Sequence, residues 1–191
     1  MKSIFIKSLC VTAIALLASA AAAFEIDYDG RPPAELQPCD EHLYQGRGAP
    51  AQACYAQLLA SSANLLTQAE AAWRMHDVAR ANELFRLILR SKEDAVHERV
   101  RWAQLYIQTH QYAQAVELYR EALAIAPEDA YAKIGLARVF AEQFEGAARP
   151  LLDEVIKQDD SSIGAHLLLA RMSLEEGEYE QAQSLLARTA K

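Results

Sequence analysis

The chain has 191 residues, of which 52% are hydrophobic but only 8% aromatic, with 7 glycines. Its apolar mass is therefore Ala and Leu, which form helices readily, and the β-branched runs between turn residues that mark an all-β or doubly wound chain are scarce. Aspartate and glutamate outnumber lysine and arginine by 26 to 19, a net charge of −7, which argues against nucleic acid as a partner because phosphate binding needs a basic face.

Residues 1–23 read MKSIFIKSLCVTAIALLASAAAA. Lys2 and Lys7 open the segment, an apolar run follows from Leu9, and Ala21-Ala22-Ala23 offers an A-x-A cleavage site before Phe24. This pattern predicts a secretory signal. The apolar run is shorter than the roughly 20 residues a membrane-spanning helix needs, and no second long run follows. Leu9 stands before Cys10 where a lipid-attachment signal carries a small residue, so no lipid is expected. The chain is thus expected to be exported, most simply to a periplasm.

Beyond the signal, the first stretch (24–37, FEIDYDGRPPAELQ) holds Pro32-Pro33 and little periodicity, and it is expected to be extended or mobile. The two cysteines that remain, Cys39 and Cys54, are an even pair in an exported chain, which points to a disulfide. Cys39-Asp40-Glu41-His42 has metal-like C-x-x-H spacing, but a structural zinc wants four ligands and no second such pair exists. Gly48-Ala49-Pro50 then opens a helix whose Ala51, Tyr55 and Leu58 copy residues further along. Residues 24–61 are expected to form this lead-in and a capping half-repeat.

From residue 62 the chain repeats itself. In 96–129, Val96, Val100, Ala103 and Ile107 form one helical stripe, and Tyr112, Ala115, Val116, Tyr119, Ala122 and Leu123 form a second. His110-Gln111 lies between them and Pro127 follows. Thirty-four residues earlier, Ala69, Ala81, Phe85 and Ile88 take the places of Ala103, Ala115, Tyr119 and Ala122. Thirty-four later stand Ala137 and Phe140. After a one-residue deletion, Ala148, Leu152 and Val155 continue the series. A last unit starts near Ile163 and carries Ala170, Gly177, Tyr179, Ala182 and Leu186 in register. Four units follow: 62–95, 96–129, 130–162 and 163–191.

These units resemble the tetratricopeptide repeat, with small residues at positions 8 and 20 and a large side chain at 24. The best match is 96–129, where Trp102, Ala103, Tyr106, Ala115, Tyr119, Ala122 and Pro127 fall at positions 7, 8, 11, 20, 24, 27 and 32. The resemblance implies an all-α, right-handed solenoid of antiparallel helix pairs, here behind a disulfide-stapled N-terminal cap. Alanine at positions 8 and 20 lets paired helices approach closely, and stacked neighbours supply the core that one hairpin lacks. The acidic pairs Glu93-Asp94, Glu128-Asp129 and Asp159-Asp160 fall between units, where they are read as helix caps. His76 and His110 share one turn position, where a solvated polar residue is expected.

No H-E-x-x-H, G-x-S-x-G, Walker loop or G-x-G-x-x-G occurs, and the five histidines are scattered, so an enzyme reading is poor and no cofactor is implied. The resemblance places positions 2, 5, 9, 12 and 13 of each first helix in a concave groove. These include Trp73, Arg74, His97, Tyr131, Arg138 and Arg171, the candidate contacts for a protein or peptide. Trp73 and Tyr131 are the expected anchors. Arg138 and Arg171 share position 9, where they either grip a ligand carboxylate or pair with Glu142 and Glu175 along their own helices. The resulting expectation is a periplasmic or secreted protein-interaction scaffold; the alternative is an accessory factor that holds a client for an envelope-assembly or cytochrome-maturation machine. Leu185 and Leu186 near the chain end suggest a homodimer through the C-terminal repeat. If the leader is cleaved as read, intact-mass spectrometry of protein recovered from the export compartment gives a chain beginning at Phe24; a mass retaining Met1 contradicts the reading.

Overall fold

A computed structural model describes residues 31–143 and 146–189. The predicted signal at 1–23, the start of the lead-in and the last two residues lie outside the described residues. All regular structure among the described residues is helical: a 3-10 turn (Ala34–Leu36), then α1 (Gln37–Tyr44), α2 (Gly48–Ser61), α3 (Leu65–Arg74), α4 (Val78–Ser91), α5 (Val96–Gln108), α6 (Tyr112–Ile125), α7 (Ala130–Glu142), α8 (Ala148–Gln158), α9 (Ile163–Glu175) and α10 (Tyr179–Thr189). Consecutive helices pack as hairpins, and each hairpin packs on the next.

Four of the hairpins share one turn. The second residue after the first helix is left-handed, at φ 72° in Gly46, 61° in His76, 57° in His110 and 82° in Gly177. The following N–H reaches back to the last helical turn: Arg47 to the His42 carbonyl, Asp77 to Ala72, Gln111 to Tyr106 and Glu178 to Ser173, at 2.8–2.9 Å. This is the Schellman closure, which satisfies carbonyls that a helix end leaves orphaned. His76 and His110 are therefore more than solvated turn residues. They occupy a backbone position that usually takes glycine and that histidine tolerates better than most side chains.

The small-residue register is seen in every repeat. Ala69 and Ala81, Ala103 and Ala115, Ala137 and Ala148, and Ala170 and Ala182 are all buried. Aromatic side chains join one repeat to the next. Trp102 of α5 stacks on Phe85 of α4 at 6.0 Å and on Tyr106 at 5.5 Å, and its indole N–H donates to Asn82 Oδ1 at 2.7 Å. Tyr119 of α6 lies fully buried against Gly135 of α7, where a Cβ would stand 2.2 Å from the ring.

The front of the chain differs from the expected half-repeat. Leu36 is buried, and a helix begins at Gln37 with proline in its first turn, where the missing N–H costs nothing. So α1 and α2 form a complete, shortened hairpin with the same turn as the first, second and fourth repeats. Cys39 and Cys54 are bonded across it, with Cα atoms 5.4 Å apart. A closed loop of this length is worth about 3 kcal/mol in the chain-entropy model.

The acidic residues between repeats divide in role. Asp129 caps α7 by accepting the Ala132 N–H at 2.7 Å. Asp94 does not cap: α5 starts after Ala95 with no side-chain cap. Asp159 instead accepts the Ser161 N–H and hydroxyl, which holds its carboxyl below the usual range, while Asp160 pairs with Arg188 at 3.1 Å. Glu128 pairs with Lys133, not with a helix end. At the other end of the chain, Leu185 is half-buried against α9, so only Leu186 of the two terminal leucines is exposed.

Glycine to alanine in a helix ordinarily gains up to about 1 kcal/mol. Gly135→Ala is expected to reverse that sign and cost about 1–3 kcal/mol, because the new methyl meets the immobilised Tyr119 ring. Urea denaturation reads the midpoint; a stabilised variant would mean the ring yields.

Candidate binding groove

Position 9 of the four first helices carries Glu70, Gln104, Arg138 and Arg171. The row divides into two halves. In the first, Arg101 of α5 crosses to α3 and forks onto Glu70, with Nε to Oε1 at 2.6 Å and Nη2 to Oε2 at 2.9 Å. Its Nη1 donates to Gln104. Glu70, Arg101 and Gln104 are all buried. A second bridge joins the same helices, as the Trp73 indole N–H donates to Gln108 Oε1 at 2.8 Å. The guanidinium of Arg101 stands 5.1 Å from the Trp73 ring centre and that of Arg74 stands 5.8 Å from it.

The disulfide cap extends this network. Arg74 Nε reaches Asp40 at 3.4 Å, and the Tyr55 hydroxyl donates to the same carboxylate. Burial, then the Asp40 hydrogen bond and charge, push the Tyr55 hydroxyl well above its ordinary value, so it remains a donor. Asp40 follows Cys39 and Tyr55 follows Cys54 in sequence, so the disulfide sets both ends of this bond. A cavity of about 210 Å³ opens between the cap and the first two repeats, lined by Pro32, Tyr44, Trp73, Arg74 and Gln104 among others.

The second half of the row is more open. Tyr131 is 41% exposed and Leu174 48%, and Arg138 is half-buried. Arg171 donates to Glu142 of the preceding first helix at 2.9 Å and lies 3.5 Å from Glu175 on its own, so a scaffold pairing is present. Behind this face, Lys133 is buried. Burial opposes its charge, but hydrogen bonds to Glu128 and Glu154 outweigh that and raise its pKa.

The expected groove residues thus separate. Trp73 is 5% exposed and belongs to the internal network with Arg74; His97 is exposed and stands apart from it. Val100, Ile107 and Ile134 of the same groove positions are buried. Nothing in the sequence marks Arg101, Asp40 or Gln108, since a charge on a helix surface ordinarily reads as solvated. The one available signal was the 34-residue offset between Trp73 and the buried apolar Ile107.

Family models of the tetratricopeptide repeat match residues 100–162 and 141–191. Residues 100–191 belong to the tetratricopeptide-repeat family. A thermophilic repeat protein from Thermus thermophilus superposes with a TM-score of 0.65 at 16% identity, covering 81% of this chain and 87% of that one. MamA of Desulfovibrio magneticus gives 0.54 at 18% identity, covering 83% and 94%. A repeat protein from Parabacteroides merdae gives 0.57 at 16% identity, covering 78% and 62%. At these identities the likeness shows the fold alone. A search of curated proteins found no match. The fold supports a protein–protein interaction scaffold, and proteins of this family are generally non-enzymatic. Among the described residues, no helix is long and apolar enough to cross a membrane.

Removing one member of a buried ion pair strands the other charge, which costs about 3–5 kcal/mol, whereas an apolar replacement of both is often near neutral. Glu70→Ala is therefore expected to lower stability far more than Glu70→Leu combined with Arg101→Met. Urea denaturation of the two variants compares them directly; a single variant no worse than the double would remove the pair from the desolvated core.

Proposed function

We propose that this chain is an exported scaffold that holds a protein or peptide segment along the first-helix face of its third and fourth repeats. The asymmetry of the position-9 row carries the reading. In the first two repeats the groove positions are taken up by the Glu70–Arg101–Gln104 and Trp73–Gln108 bridges. In the last two, Tyr131 and Leu174 offer apolar surface beside Arg138 and Arg171. Aromatic anchors with arginines at their rim are the residue types that dominate binding energy, and an arginine fork suits a ligand carboxylate. Export is supported by the leader pattern of residues 1–23 and by a disulfide that persists only in an oxidising compartment. A periplasm is the compartment proposed.

The test begins with peptides selected from a random display library on the purified protein. Tyr131→Ala, and Arg138→Ala with Arg171→Ala, are expected to weaken the selected peptides by well over tenfold while the melting curve holds. If affinity holds and stability falls, those residues belong to the scaffold and the groove reading fails.

A further inference from the structure

The outer face of α4, on the first repeat, is unusual in an acidic chain. Arg80, Arg86 and Arg90 surround Leu87, which is 49% exposed, over a depression of about 310 Å³ that also touches Glu83 and Leu84. Arg80 pairs with Glu83 at 3.2 Å. Arg86 and Arg90 form no ion pair among the described residues, whereas Arg99, Arg149 and Arg188 each reach a carboxylate. Like charges four residues apart on one helix face destabilise that helix, so the fold itself gains nothing from this pair. The face carries three arginines against one glutamate.

The opposite composition stands at the other end of the array. The hairpin turn at 174–180 presents Glu175, Glu176, Glu178 and Glu180 together with exposed Leu174 and Tyr179. Arg171 and Arg149 answer three of these carboxylates. Arg171 also binds Glu142, so the turn stays net negative, opposite in sign to the α4 face. Each patch also has an apolar centre.

We propose that the acidic turn of one copy docks on the α4 face of a second copy. The two patches lie on different repeats, so the contact is heterologous and joins copies head to tail. The net charge of −7 disfavours an extended anionic surface such as a bilayer as the occupant, whereas a discrete acidic turn meets only the basic patch. Arginine rather than lysine suits forked recognition of carboxylates. The contact takes in Leu174 and Glu175 at the C-terminal end of α9 but not Tyr131 or Arg138, so Tyr131→Ala separates it from the groove reading.

Sedimentation velocity of the purified protein at low ionic strength tests it. The weight-average mass is expected to rise with concentration and to fall back on adding salt. Arg86→Glu with Arg90→Glu gives a monomer, as does Glu178→Arg with Glu180→Arg, each with an unchanged melting curve. An equimolar mixture of the two variants recovers association, because each supplies the face the other lacks. Tyr131→Ala leaves the association as it is. A wild-type chain that stays monomeric at all concentrations, reversals without effect, or no recovery on mixing overturns the proposal. So does a monomer that binds phosphatidylglycerol vesicles through Arg86 and Arg90, which assigns the face to lipid.

Discussion

Everything in this molecule depends on how closely paired helices approach at alanine. In each repeat one alanine of the first helix and one of the second are buried, from Ala69 with Ala81 to Ala170 with Ala182. A side chain of ordinary size there would push the backbones apart. Close pairing leaves a large side chain of the second helix free to reach the following repeat, as Phe85 does against Trp102 and Tyr119 against Gly135. The array is thus a sequence of local contacts, each setting the place of its successor.

Function follows from where that spacing puts the first helices. It sets Glu70 and Arg101, which come from adjacent repeats, within forked hydrogen-bonding distance. Such a pair is weak support for stability, but its geometry admits one register only. The disulfide cap continues the same logic, because Asp40 binds both Tyr55 and Arg74. The N-terminal half of the array is therefore braced from within. The C-terminal half keeps Tyr131 and Leu174 exposed, and that surface is the one proposed above for a partner.

The repeats were legible in the sequence because their determinant is local and periodic. Alanines at a fixed offset require no knowledge of distant residues, and neither does the pairing of the two cysteines, Cys39 and Cys54. What escaped has a common cause. His76 and His110 hide a left-handed turn that glycine would have announced, as Gly177 does. Helix α1 follows two prolines and matches no full repeat, so its periodicity was too short to register. Arg101 looks like any surface cation until α3 is laid beside it. Asp94 and Asp129 occupy the same interval between repeats, yet only Asp129 caps, because capping depends on where the backbone turns and not on the charge alone.

The register can be tested at its centre. Ala115 is buried between the helices of the best-matched repeat, and its neighbour Gln114 is exposed. Chemical denaturation of Ala115→Leu is expected to show a loss of about 1–3 kcal/mol from overpacking, while Gln114→Ala stays within about 0.5 kcal/mol of the parent. Equal midpoints for the two variants would contradict the account.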